Sequence, residues 1–186
     1  MNIFRLHDDP TLCAVFHNDK HVVKMILESC QLLSTAHRVN DGCAKQVPSA
    51  KSGRLIWRWE IPDRTRDAVL YQATHVNHPC AIWCRMSEDN YRWLWSLTTA
   101  LAAEYTHRYG KVHKCESDGL IAMLQTPPTT FPQTGFTEPP QAMPDSCKVP
   151  NNAVEAYRRY YCQEKTHLAT WKHRSIPAWF STRGHQ

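Results

Sequence analysis

A single, mainly helical (all-α) domain spanning residues 1–186 is what this sequence predicts, and three observations predict it. Apolar residues recur every three or four positions through residues 11–41 and again through 80–109, the period of one helix face. Both stretches open on capping chemistry: Asp9 before Pro10, and Asn77 or His78 before Pro79. The one long interruption, residues 127–150, holds seven prolines and can be neither helix nor central strand. A chain of 186 residues buries enough surface to fold without metal or disulfide staples.

Met1 to Leu6 reads as a short extended entry with Ile3, Phe4 and Leu6 apolar. The first helix is expected to run without a break from Pro10 to a stop near Asn40, Asp41 and Gly42. Its apolar face carries Leu12, Phe16, Val23, Ile26, Cys30 and Leu33. A second face is polar: His17, His21, Lys24, Glu28, Gln31, Thr35 and Arg38 stand in one column, each within reach of the next. A solvated face usually mixes lysine with glutamate. This one sets imidazoles and cations around one carboxylate, so it is either a surface stripe or a site. Glu28, between Lys24 and Arg38, should stay ionised, which suits a partner for a developing cation better than a general acid.

Residues 43–62 read as a basic loop in which Trp57 and Trp59 interleave with Lys45, Lys51, Arg54 and Arg58. Such a mixture suits phosphate contact with base stacking, or a surface loop pinned by two tryptophans. Asp63 caps a helix to about Thr74. A long second helix is expected from Pro79 to Tyr109, with Ile82, Trp83, Met86, Leu94, Leu97 and Leu101 inward and Gly110 as its stop. His75, Asn77 and His78 at its N-terminus can meet an anion or a base edge, or simply form a cap.

Residues 107–114, HRYGKVHK, are the densest basic patch, and Arg108, Lys111 and Lys114 are candidate phosphate ligands together with Arg38 and Arg158. A short helix covers Ser117 to Gln125. In the proline-rich segment, Phe131, Phe136 and Met143 can wedge into a base stack or pin the loop to the core. Asn151 or Asn152 caps a last helix to about Thr170, with Val154, Tyr157, Tyr161 and Leu168 inward, and the tail returns Trp179 and Phe180 to the core.

Apolar content of 42% with seven Trp and seven Tyr excludes a disordered chain. A net charge of +5, with eleven His in reserve, suits an anionic partner. No apolar run is long enough to span a membrane, and the opening MNIFRLHDD lacks the apolar core of a leader, so a cytosolic monomer is expected. Eight cysteines are expected as free thiols in that compartment. His75, His78, Cys80 and Cys84 lie close together, but their spacing fits no standard zinc finger, and no metal is expected. No Walker loop, GxGxxG or GxSxG occurs, so no nucleotide cofactor is expected.

One resemblance emerges from these motifs. Asp19-x-His21 followed by Glu28 seven residues later, on a first helix after a short stub, with His-rich helix starts and an aromatic tail, resembles the phage pyrimidine-dimer DNA glycosylases of the endonuclease V family. The stretches DKHVVKM, HVNHP and YGKVHK are also similar to phage-encoded proteins of DNA-modification type. The first resemblance implies an all-helical enzyme on double-stranded DNA, an N-glycosylase with a strand-cleaving lyase step, in an infected host cell. It implies that a base is flipped from the duplex, that an N-terminal α-amine attacks C1′ of the sugar to form an imine, and that Glu28 is the catalytic carboxylate. An α-amine suits this role because its ordinary pKa, about 8, leaves part of it neutral at pH 7. Glu28, His21, Lys24 and Met1 are thus the candidate catalytic residues. The family exposes a small residue after removal of methionine. Here residue 2 is Asn, large enough to keep Met1 in place, so the amine is that of Met1 or is replaced by Lys24. Without an amine nucleophile, a DNA hypermodification transferase acting on a modified thymine, or a non-catalytic DNA-binding module, would fit the same residues.

Overall fold

Capping side chains decide where the helices of this computed structural model start and stop; the structure describes residues 1–181. Asp9 opens α1 (Pro10–Phe16), its carboxylate accepting the Leu12 N–H at 2.8 Å. The expected single helix breaks at His17 and Asn18. His17 is extended there, and its Nδ1–H donates to the Cys13 carbonyl at 2.7 Å. Asn18 then starts α2 (Asp19–Asp41) by accepting the His21 N–H at 2.9 Å. Two side chains thus satisfy backbone groups that a continuous helix would have used. α2 ends at Gly42, where a Cβ would stand 2.3 Å from the Arg38 carbonyl oxygen; only glycine allows the chain to leave so closely.

Residues 43–60, expected as a loop, form an antiparallel hairpin, so the fold is mainly helical rather than all-α. β1 (Cys43–Pro48) pairs with β2 (Leu55–Glu60), with Lys45 opposite Arg58, Gln46 opposite Trp57 and Ala44 opposite Trp59. α3 (Arg64–Val69) is shorter than expected, capped by Asp63, and an irregular segment, 70–78, follows. The second long helix also divides. α4 (Pro79–Met86) and α5 (Glu88–Tyr109) meet at Ser87, which ends one and caps the other through the Asn90 N–H at 3.2 Å. Gly110 closes α5 in the left-handed region, φ 64°. Two one-turn helices, α6 (Lys114–Ser117) and α7 (Leu120–Met123), lead to the proline-rich segment; α8 (Ala153–Glu164) and α9 (Ala178–Ser181) complete the described chain.

α2 is the axis of the core. Val22, Met25, Ile26, Cys30, Leu33 and Ala36 are buried on it, packed against α4 and α5, which bury Cys80, Ala81, Cys84, Tyr91, Leu94 and Leu101. The entry segment is buried too, with Ile3, Phe4 and Leu6 all under a tenth exposed. The proline-rich segment is tied down by polar bonds: Thr137 N–H donates to Asn90 Oδ1 at 2.9 Å, and Trp83 Nε1–H to the Thr137 carbonyl at 2.9 Å. Phe136 packs edge-on against Trp83 beneath the Arg5 guanidinium, and Phe131 and Met143 lie against the core. Their observed role is to pin this segment. All eight cysteines are free, and among the described residues no three metal-ligating side chains converge. Among those residues no helix is long and apolar enough to cross a membrane.

Three buried histidines make the fold acid-sensitive. Burial lowers the pKa of His17 to about 4, of His21 to about 3 and of His37 to about 4. Unfolded, each takes up a proton near pH 6.5; folded, none does until far lower. The unfolded state therefore binds more protons across this window, and stability falls with pH by about 1.4 kcal/mol per pH unit per histidine. Urea unfolding should show this loss between pH 7 and 5, with roughly two to three protons taken up on unfolding at pH 5. A flat stability profile over that range contradicts the account.

Candidate amine–carboxylate site

The polar column on α2 is mostly interior, and it divides into parts with different tasks. At its N-terminal end His21 is buried. Its Nδ1 lies 2.6 Å from the Tyr161 hydroxyl, and its ring stacks on Phe4 at 4.3 Å. Asn18 and Tyr161 flank the same imidazole, with Tyr161 edge-on to its ring. Through these contacts His21 packs the entry segment by way of Phe4.

At the C-terminal end Thr35 and Arg38 hold the segment 70–78. Thr35 Oγ1 accepts the Thr74 N–H at 3.2 Å. Arg38 is fully buried and donates to the carbonyls of Tyr71 at 2.8 Å, Trp59 at 2.9 Å, Asp67 at 2.9 Å and Leu70 at 2.7 Å, and to the Asp67 carboxylate. A guanidinium with every donor engaged inside the protein has nothing left for a phosphate, so the expectation of Arg38 as a DNA ligand is overturned.

Between these ends stands Glu28. Its Oε2 accepts the Asn2 backbone N–H at 3.2 Å and lies 3.9 Å from the α-nitrogen of Met1. Its Oε1 lies 3.2 Å from Lys24 Nζ. The Glu28 side chain is 14% exposed while Lys24 is 68% exposed, so the lysine is a solvated flank of weak electrostatic worth. Both carboxylate oxygens are engaged, which fixes the carboxylate plane.

Asn2 places the amine. Its Nδ2–H donates to the Ala142 carbonyl at 2.9 Å. Its Oδ1 lies 2.6 Å from the Tyr157 hydroxyl on α8, whose proton it shares with the Pro140 carbonyl at 2.7 Å. Cys80 Sγ on α4 stands 3.9 Å from the same oxygen. Burial pushes the Cys80 thiol up to about 11, so it is a neutral lining group rather than a nucleophile. The Met1 side chain is only 4% exposed and belongs to the core margin.

His78 completes the arrangement. As N-cap of α4 it accepts the Cys80 N–H on Nδ1 at 3.2 Å, which leaves the imidazole proton on Nε2. Partial burial first, then the α-amine and His75, lower its pKa, while Glu28 opposes them. A neutral imidazole thus stands within electrostatic range of both the amine and the carboxylate. Amine, carboxylate and neutral imidazole together can condense with an aldehydic carbon, stabilise the cation that results, and relay a proton.

The other expected residues are dispersed. His75 is exposed, at φ 49°, its Nδ1 2.8 Å from Thr74 Oγ1, and Asn77 faces the hairpin. Arg108 is fully buried, donating to Glu104 at 2.6 Å, Asp19 at 2.9 Å and the Val15 carbonyl at 2.9 Å, so it too is corrected from phosphate ligand to internal cation. Its partner Glu104, four residues earlier, was a readable signal for this. Arg158 Nε–H donates to the Leu6 carbonyl at 2.9 Å, and its guanidinium covers Phe16 and Trp179. Lys111 and Lys114 remain exposed, the latter paired with Asp118. Sequence reasoning missed Asn2, Tyr157 and Cys80. Nothing local marks them, since they meet only through contacts as far as 155 residues apart.

The chain matches no family model, no curated protein and no solved structure.

The buried and exposed cations should separate in one experiment. Arg108→Ala takes a buried guanidinium from Glu104, which keeps Arg174, from Asp19, which keeps the Lys172 N–H, and from the Val15 carbonyl, and should cost about 3 kcal/mol in urea unfolding. Lys111→Ala should change stability by under about 0.5 kcal/mol, and should reduce the salt slope of DNA binding by about one if that lysine meets a phosphate. Equal stability of the two variants contradicts the assignment of Arg108.

Proposed function

We propose that this protein is a DNA-processing enzyme of the endonuclease V type, which acts on a flipped-out base as an N-glycosylase with an associated lyase step. The observation that carries the reading is the Met1 α-nitrogen 3.9 Å from Glu28, with the Asn2 N–H on the same carboxylate oxygen. An amine beside a fixed anion suits attack on C1′ of a deoxyribose. The nitrogen lone pair forms the N–C1′ bond, the glycosidic bond breaks, and the base leaves with a proton. Opening of the sugar ring then gives an iminium ion, whose positive charge develops beside Glu28. His78, its pKa lowered by partial burial and then by the α-amine, is the candidate to carry protons between amine, base and solvent. Lys111, Lys114 and Arg158 flank the fold as the remaining candidate phosphate contacts.

The second reading is a transferase that modifies a thymine base in DNA. It rests on Asn2: the carboxamide that anchors the entry segment also fills the position at which the glycosylases expose a small residue. In that reading Glu28 stabilises a different cation and the amine is only a structural charge. A DNA-binding module without catalysis is the third, and it predicts binding with no product.

Glu28→Gln tests the first two readings against the third. The substitution keeps shape and hydrogen bonding and removes the charge. With duplexes carrying an abasic site, ultraviolet photoproducts or 5-hydroxymethyluracil, turnover should fall on the order of 100- to 1000-fold, about 3–4 kcal/mol. DNA affinity should persist or rise. Acetylating the α-amine should abolish strand cleavage if the amine is the nucleophile; cleavage or base modification that survives acetylation but not Glu28→Gln transfers the assignment to the transferase. Wild-type turnover by Glu28→Gln on every substrate that the protein processes removes both enzymatic readings.

A further inference from the structure

The hairpin was not expected, and it carries a second surface that the amine–carboxylate site does not use. Its register puts Trp57 and Trp59 two residues apart on one strand, and therefore on one face, together with Leu55. Trp57 is 53% exposed and Leu55 63%. The two indoles lie 6.4 Å apart with their planes tilted by 36°. With Ala44 across the ribbon, and Ala73, Val76 and Asn77 from the segment that follows α3, they line an open cleft of about 590 Å³.

Two features say what this cleft would hold. Residues 43–59 contain Lys45, Lys51, Arg54 and Arg58 and no carboxylate; Lys51 and Arg54 are exposed at the hairpin turn, and Lys45 is engaged by Glu60. Flat apolar faces with polyanion-complementary charge at the end of the same ribbon match a nucleic-acid strand rather than a protein surface or a lipid. The second feature is chain continuity. The wall formed by Ala73, Val76 and Asn77 runs directly into His78, the N-cap of α4, two residues before Cys80, whose Sγ lies 3.9 Å from Asn2 Oδ1. Arg38 and Thr35 fix the start of that wall to α2 through Tyr71 and Thr74, and Arg85 on α4 holds the Val76 carbonyl.

We infer that the Trp57–Trp59 cleft is a stacking subsite for an unpaired nucleobase of a DNA strand, with Asn77 at the base edge and Lys51 and Arg54 toward the phosphates. The inference rests on the DNA-processing reading above and extends it to a strand whose bases leave the duplex at the hairpin. Asn77 is suited to the edge because its carboxamide offers both a donor and an acceptor.

The test uses the full chain and two single-stranded probes, fluorescein-labelled dT10 and a decamer of tetrahydrofuran abasic units with the same backbone charge. Wild type should bind dT10 about 10-fold or more tightly than the baseless decamer, and Trp57→Ala should remove that difference by weakening dT10 alone. Trp57→Phe should keep most of it, since a ring remains for stacking. If wild type binds the two probes equally, or if Trp57→Ala lowers affinity for both alike, the stacking subsite is overturned and the DNA-processing reading stands on its own test. If wild type binds neither probe nor a duplex, both fall together.

Discussion

The Asn2 carboxamide is the junction on which the rest of the site depends. It bonds to Tyr157 on α8 and to the Ala142 carbonyl of the proline-rich segment, and touches Cys80 on α4, while its backbone N–H reaches Glu28 on α2. Four parts of the chain that are remote in sequence meet at this one residue, three at its side chain and α2 at its backbone. The entry segment behind it, Ile3 to Leu6, is held by apolar burial and by the stacking of Phe4 on His21. An extended segment threaded through a helical core cannot slide without breaking these contacts together, so the α-nitrogen is placed by the fold rather than by local flexibility.

α2 supplies the counterpart. One face makes the apolar core, and the column that looks like a solvated stripe is an internal frame. His21 secures the entry segment, Glu28 faces the amine, Thr35 holds Thr74, and Arg38 gathers four carbonyls and a carboxylate. A buried guanidinium is tolerated only because each donor is met; removing it would leave those carbonyls without partners. The histidine that completes the site, His78, belongs to the segment so held. Spacing along one helix thus places both the carboxylate that faces the amine and the anchors of the segment that ends at His78.

The sequence made the helical majority legible, because apolar period and capping residues are local signals. It also singled out Glu28, the one carboxylate in a cationic column. What it hid was non-local. The hairpin reads as a basic loop because the cations of β1 and β2 obscure the alternation; the strands exist by virtue of pairs such as Gln46 with Trp57, eleven positions apart. The breaks at His17 and Ser87 were hidden because a buried side chain that bonds to backbone looks, in sequence, like any polar residue of a helix. Arg38 and Arg108 read as surface cations because their acceptors come from α3 and from the start of α2. Asn2 had no signal, since its partners lie up to 155 residues away.

On the proposed reading, the Met1 amine meets a DNA sugar beside Glu28. The most direct measurement is to reduce the complex with an abasic-site duplex by borohydride, digest the protein, and locate the deoxyribose adduct by mass spectrometry. The account predicts one adduct, on the α-nitrogen of Met1, absent when that amine is acetylated beforehand. An adduct on Lys24 or another lysine, with the α-amine unmodified, would contradict it, as would efficient strand cleavage with no trapped adduct at all.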